Sequence, residues 1–567
     1  MKGSVERELP FDAAESKTLH MRGNSMRENR ETPAAPAPDG GADRPGKAKT
    51  PEPDMHVAGE SDVLIVPTKR ANKVTMLAKS SAANANLAEA ALAEASVVVA
   101  ESAEERRATK GNAPQTLSHR TQSRGCESQG LWRVRQAARR DKRMRFTALL
   151  HHITPALLRA SYRELNRSAV PGIDGERWVE YRKHLEARIE DLHGRVHRGT
   201  YRAKPSKRAW IPKTGGRRPL GISALEDKIV QQAVRTVLEC VYEEDFLGFS
   251  YGFRPGRSCH NALDALWVGL TQRRVNWVLD CDIRGFFEAI DHEWLVKFLE
   301  HRIADRRILR LVRKWLRAGV SEDGEWSRTT VGTPQGAVIS PTLANVYLHY
   351  VLDLWVERWR KRHARGDVII VRYADDFVLG YQYRDDAQRC LAELGQRMQA
   401  FGLELHPEKT RLIEFGRFAA ADRQRRGAGK PETFEFLGFT HWCGTRRDGK
   451  FTVKRKSMAR RMSAKLKEVK DRFRVLMHAE VRTMGRWASA VVRGWMNYHA
   501  VPGNRASVDV FRTQVCRMWY RTMRRRSESG RRRWPWKRMQ RLIRRWIPPV
   551  RIVHPYPNER LIVTHPR

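Results

Sequence analysis

The sequence predicts an α+β fold, with mixed strands and helices followed by a helical, strongly basic region. Two apolar, β-branched stretches, VNWVLDCD (275–282) and VIIVRYADDFVLGY (368–381), read as buried strands that carry carboxylates at their ends. Segments such as ALEDKIVQQAVRTVLECVYEEDF (224–246) show the three-to-four-residue apolar spacing of amphipathic helices. Acids thin out toward the end: residues 441–567 hold 34 Lys and Arg against 7 Asp and Glu, a net +27 of the chain's +43.

Residues 1–128 form an extension of different composition. TPAAPAPDGGADRPGKAKTPEP (32–53) is rich in Pro, Ala and Gly and is expected to be disordered. SSAANANLAEAALAEASVVVAESAEERRA (80–108) has good helix formers, but its apolar residues are mostly alanine, so it predicts a marginal helix. A globular unit is expected over 129–440. Helical periodicity runs through 143–167, a turn follows at VPGIDG (170–175), and WIPKTGGRRPLGI (210–222) predicts two short strands joined by a Gly-Gly turn. VNWVLDCDIRGFFEAIDH (275–292) passes from strand to helix. SPTLANVYLHYVLDLWVERW (340–359) predicts a helix with Ser340 as N-cap and Pro341 at its first position. The 368–381 stretch predicts a hairpin with the two aspartates at its turn, and a helix follows near 385–401. FEFLGFTH (434–441) reads as one further strand. A third unit, 441–567, is expected to be helical past 455 until the proline clusters after 547.

Charge and cysteine usage narrow the function classes. An excess of 107 Lys and Arg over 64 Asp and Glu calls for a polyanionic partner. Aromatics interleave with the cations at WMNYH (495–499), MWYRTMRRR (518–526) and RRRWPWKR (531–538), a mixture suited to phosphate backbones and unstacked bases. No apolar run approaches the ~18 residues a bilayer span needs, so no membrane partner is expected. The seven cysteines are scattered without a C-x-x-C pair, which argues against a disulfide framework and a Cys-type zinc module. A cytoplasmic protein is the expectation.

The adjacent Asp375 and Asp376 stand in a stretch that is otherwise largely apolar, and Asp282 ends a strand of the same form. Neighbouring strands of one sheet would bring these acids within a few ångströms. Clustered carboxylates repel unless a cation joins them, and an oxygen-rich, open site suits Mg²⁺. Two such ions about 3.5–4 Å apart form the clamp used for phosphoryl transfer in polymerases.

YADD (373–376), with DIRGFF (282–287) upstream and GTPQGAVISPTLANVYL (332–348) between them, resembles the reverse transcriptases encoded by bacterial group II introns. RRPLGI (217–222), YGFRPGRSCHNAL (251–263), LHPEKTRL (405–412) and FLGF (436–439) extend the likeness, in one order, across about residues 129–545. The resemblance implies a right-hand polymerase: fingers and palm with an antiparallel sheet, then an α-helical thumb or maturase domain. It implies that Asp282 and Asp375 bridge two Mg²⁺ ions (Mn²⁺ as a substitute), that Asp376 completes the acidic cluster, and that the Ile283 carbonyl is a further ligand. Lys213 and Arg218 would grip the dNTP triphosphate, with Arg217 able to exchange roles. Gln335 would bond its sugar or base. Phe287 would exclude a ribose 2′-hydroxyl, and equally suits plain core packing. Lys409 falls near the palm, where a surface ion pair is its alternative role.

In the C-terminal region RWASAVVRGWMNYHA (486–500) matches the family's maturase pattern through Arg493, Trp495 and Tyr498, and Trp495 equally suits the thumb core. These residues and Arg524, Arg525, Arg526, Arg531, Arg532 and Arg533 are the expected RNA contacts. The partners implied are group II intron RNA, target DNA or primer, and dNTPs, with the protein a monomer or homodimer. Many members carry a Cys-rich His-Asn-His nuclease that is not expected here. The rival readings are a reverse transcriptase of a defence or diversity-generating system, and a splicing cofactor that binds RNA without polymerising.

Overall fold

The computed structural model describes residues 128–560 apart from 214, 215, 323, 328 and 330, so the expectations for the 1–128 extension fall almost wholly outside the described residues. In chain order the strands are β1 (Ser206–Lys213), β2 (Gly216–Ile222), β3 (Trp277–Asp282), β4 (Val320–Glu322), β5 (Glu325–Ser327), β6 (Val368–Tyr373), β7 (Asp376–Tyr381), β8 (Arg411–Glu414), β9 (Phe434–Phe436), β10 (Phe439–Thr445) and β11 (Phe451–Ser457). They form three sheets, ordered β2-β1-β4-β5, β6-β7-β3-β8 and β11-β10-β9. The fold is α+β.

The β6-β7-β3-β8 sheet is wholly antiparallel. Side chains alternate across a pleated strand, so Val278, Asp280 and Asp282 of β3 share one face. On it Val278 and Val378 join a core with Leu263 and Leu266 from the helix Cys259–Gln272 and Phe434, Phe436 and Phe439 from the third sheet. The face therefore runs from apolar core to carboxylate within one short strand. Cys281, on the opposite face, is buried toward the helix Arg384–Ala400, where it senses Cys390. A last group of helices, Ala459–Val475, Val481–His499, Arg505–Arg524 and Trp536–Trp546, encloses a core of its own around Phe473, Val492, Phe511 and the fully buried Trp519. The expected division at 440/441 falls inside β10.

Several elements differ from expectation, each for a local reason. The 143–167 helix is confined to Pro155–Glu164, because Pro155 lacks an N–H to continue an earlier turn and the Thr154 hydroxyl caps the Leu157 amide. Ser340 is not the N-cap: Ile339 holds that position, and the Ser340 hydroxyl donates to the Pro334 carbonyl at 2.9 Å. The helix it begins loosens into a π segment at His349–Asp353 before continuing as Leu354–Arg362. FEFLGFTH is a hairpin, since Leu437 and Gly438 both take positive φ (46° and 81°) and turn β9 back onto β10. Strand also persists beyond 455, to Ser457.

Three histidines are buried with their charged forms disfavoured. Burial lowers His349, His441 and His499 to about 3 each, and neighbouring arginines add to the effect. Unfolded histidine titrates near 6.5, so over the interval between about 3 and 6.5 the unfolded chain binds more protons than the folded one. The stability these groups supply is complete above about pH 6.5 and is lost as pH falls. Urea midpoints measured from pH 7 to 4 should drop steadily. His441→Phe should flatten that slope by about one proton, roughly 1.4 kcal/mol per pH unit.

Candidate active site

Asp282 ends β3 and Asp376 begins β7, and the register sets them directly opposite each other. Between β6 and β7 the chain reverses in two residues, Ala374 and Asp375, because Tyr373 pairs with Asp376. Ala374 takes φ 58°, the positive value that tight hairpin turns favour. Asp375 is thus placed at the tip, where burial raises its proton affinity and the nearby charge of Asp282 adds to the rise. Burial pushes Asp376 well above the usual carboxylate range, and Asp280, Asp375 and Asp282 push it further.

Asp280, two residues before Asp282 on the same face, is a fourth acid that the sequence reading passed over as part of the strand. Burial pushes it up to about 7; Arg411, with Nη2 3.8 Å from its carboxylate, opposes that rise. Positive charge reaches the cluster through Lys409, whose Nζ lies 2.5 Å from Asp282 Oδ2. Among the described residues no three His, Cys, Asp or Glu side chains are drawn into a ready cation cage. The donors present are all oxygens, which fits a hard divalent ion. In the bridge of Ile283 to Leu405 the bonds run through the Asp282 carbonyl and the Arg284 amide, which leaves the Ile283 carbonyl out of that pairing.

Beside this cluster the β1–β2 hairpin supplies cations. Arg218 Nε donates to Gln335 Oε1 at 2.6 Å, and the positive charge of Arg218 stabilises the Asp375 carboxylate. The Gln335 carbonyl in turn accepts from the Gly221 amide at 2.6 Å. Arg218 and Gln335, expected separately from sequence, are therefore brought together. Arg217 is set apart from them by register. Its register partner is Pro212, whereas that of Arg218 is Ile211, so alternation puts Arg217 on the opposite face of the sheet, shared with Trp210 and Arg208. The Lys213 side chain lies outside the described residues. Phe287 is 9% exposed, edge-on to Phe286, and its carbonyl accepts from the Thr333 amide at 2.7 Å.

The expected RNA contacts divide by exposure. Arg493, Arg525, Arg531, Arg532 and Arg533 are exposed. Trp495 is instead stacked between His499 and Phe511, with ring centroids at 3.9 and 4.2 Å, and serves the helical core. Tyr498 donates to the Leu437 carbonyl at 2.8 Å and stacks on Phe439, which fastens the helix Val481–His499 to β10. Arg526 is committed to the carbonyls of Met477 and Ala479, and Arg524 lies over the Tyr520 ring. Trp495, Tyr498 and Arg526 thus each have packing or hydrogen-bond partners within the chain, and for Trp495 this is the thumb-core role that the sequence also suited.

The geometry agrees with relatedness. The reverse transcriptase (RNA-dependent DNA polymerase) family model matches residues 204–441. Protein YkfC of Escherichia coli (strain K12) is 34% identical over 272 residues, covering 42% of this chain and 71% of that protein. Group II intron-encoded protein LtrA of Lactococcus lactis subsp. cremoris is 41% identical over 175 residues, 30% of this chain and 29% of LtrA. An uncharacterized 91 kDa protein in the cob intron of Schizosaccharomyces pombe is 34% identical over 222 residues, 38% of this chain and 27% of its own length. The chain thus spans under a third of these two intron-related proteins, and most of YkfC. With the paired acids at the strand ends inside the matched region, the chain belongs to the reverse transcriptase family, the RNA-directed DNA polymerases, among the group II intron reverse transcriptase/maturases.

Proposed function

We propose that this protein copies group II intron RNA into DNA and, by binding that RNA through its basic helical region, promotes its splicing. In this reading the β2-β1-β4-β5 sheet belongs to the fingers, the β6-β7-β3-β8 sheet to the palm and the helices after β11 to the thumb or maturase domain. The observation that carries it is the cross-strand pairing of Asp282 with Asp376 beside the Asp375 turn. Asp282, Asp375 and the Ile283 carbonyl would hold Mg²⁺, with Asp376 completing the cluster. When bound, a divalent pair supplies activation of the primer 3′-hydroxyl and neutralises the leaving pyrophosphate.

The chain's own groups do the remaining work. Arg218 is aimed toward the acids through Gln335, which suits a guanidinium gripping triphosphate oxygens. Lys409 pairs with the Asp282 carboxylate and brings a positive charge to the edge of the acidic cluster. The Phe287 backbone is bonded to Thr333, two residues before Gln335, which supports the reading of its side chain as one that limits room at the sugar. The exposed Arg531–Arg533 run and Arg493 offer phosphate contacts that hold intron RNA. Target DNA or primer and dNTPs complete the substrates, and a monomer or homodimer would serve.

Purified protein should extend a DNA primer on an RNA template with Mg²⁺ and dNTPs, and Asp375→Ala should lower kcat about a hundredfold or more. Equal, negligible incorporation by both would sink the polymerase reading in favour of an RNA binder. In the same assay Arg218→Ala is expected to raise KM for dNTP about tenfold, the loss of a charge-assisted contact. Arg217→Ala, on the other sheet face, should stay within about twofold of wild type. Equal defects would show that the face assignment does not govern substrate binding. Replacing Arg531, Arg532 and Arg533 by Ala should reduce the salt dependence of intron RNA affinity by about two to three in log–log slope, read by filter binding between 50 and 200 mM salt.

A further inference from the structure

Arg372 is a fully buried arginine two residues from a turn that carries a reactive carboxylate, and it is charge-paired with an equally buried acid, Asp353. Burying such a pair costs several kcal/mol per ion before the attraction is counted, and apolar residues of similar volume often serve stability as well or better. The bonds of the pair point to another use. All of its N–H groups are engaged. Nε and Nη2 donate to the two Asp353 oxygens at 2.7 and 2.6 Å, Nη2 to Ser250 Oγ at 2.7 Å, and Nη1 to Asn345 Oδ1 at 3.1 Å. The last bond, from Nη1 to the Ala374 carbonyl at 3.0 Å, reaches the turn itself.

Ala374 is the residue with φ 58°, and its carbonyl belongs to the peptide that leads into Asp375. Its other side is pressed by Gly252, where a Cβ would stand 2.3 Å from the Ala374 nitrogen. The backbone around Arg372 is also tied to this neighbour, with Tyr251 N donating to the Arg372 carbonyl and Arg372 N to the Phe249 carbonyl, both at 2.9 Å. Asp353 ends the π segment, so the irregular helix brings an acid to the guanidinium while Asn345, earlier in the same helix, bonds both Arg372 and the Gly252 carbonyl.

We infer that Arg372, clamped by Asp353, is a positioning residue: its bond to the Ala374 carbonyl fixes the turn peptide and so aims the Asp375 carboxylate at the site it shares with Asp282. The inference rests on the proposed polymerase site and adds to it the part that holds the acid in place. Misplacing a reacting group by about 1 Å is enough to cost about a hundredfold in rate, and outer contacts of ligating groups are worth about ten- to a hundredfold in metal affinity.

The test separates aim from stability. The double variant Arg372→Met, Asp353→Leu removes the charges together and leaves an apolar pair, and Arg372→Lys keeps the charge beside Asp353 without a guanidinium fork to serve every partner. Thermal melting, primer extension and Mn²⁺ binding followed by electron paramagnetic resonance are measured on the full chain. Expected in whichever variant melts within a few degrees of wild type are a kcat about tenfold or more lower, KM for primer–template within about twofold, and Mn²⁺ affinity weakened about tenfold. Wild-type kcat and Mn²⁺ affinity in a folded variant would overturn the assignment while leaving the polymerase reading intact, provided Asp375→Ala is inactive. An inactive wild-type protein with weakened Mn²⁺ binding in the variants would instead remove the polymerase reading and keep the positioning role.

Discussion

Asp282 and Asp376 face each other across the β3–β7 ladder, and two like charges at that spacing persist only where the backbone leaves them no alternative. The period of a strand is two, so a slip of one residue in either strand would carry its acid to the opposite face and bring Cys281 or Phe377 out in its place. What prevents the slip is the remainder of the same face. Val278 and Val378 are locked into the core with Phe434, Phe436 and Phe439, and burial of those side chains fixes the register that the acids must then share. Repulsion at the open end is thereby sustained by hydrophobic packing a few residues away. The same device sets the hairpin arms on which Asp375 is carried.

The cations around the acids fall into two sorts. Lys409 and Arg411 come from the segment around β8 and reach the carboxylates from solvent, with side chains about half exposed. Arg372 works from inside, bonding the turn backbone while its charge also favours the ionised Asp375, and is closed off completely. The first sort tunes charge and is screened by salt. The second fixes geometry and is not screened.

Much of this was legible in the sequence. The strands ending in Asp282 and flanking Asp375 follow from their β-branched runs, and the long helix at 225–245 from its apolar spacing. Clustering of the acids followed from their placement at strand ends, because the physics of like charges demanded a shared cation. What was not legible depends on partners distant in the chain. Asp280 looks like any strand residue until β8 pairs with β3 and shows which face it occupies. Arg217 and Arg218 are alike in sequence and differ only through the register of β1 with β2. Leu437 carries no sign that it will adopt a left-handed backbone and divide one apparent strand into two. Trp495 and Tyr498 sat in a basic, aromatic stretch suited to RNA, and nothing local in it told that their rings would meet His499, Phe511 and Phe439.

The contact between Lys409 and Asp282 bears on the order of events in the protein's life. An acidic pocket with no cation of its own would have to wait for an ion before its strands could close, and its folding would follow the supply of metal in the cell. Here the chain itself brings an ammonium group to Asp282, close to where the 404–406 segment bridges to Ile283. The acidic cluster thus carries part of its counter-charge within the chain itself, so an arriving divalent ion meets an ammonium group already seated at Asp282.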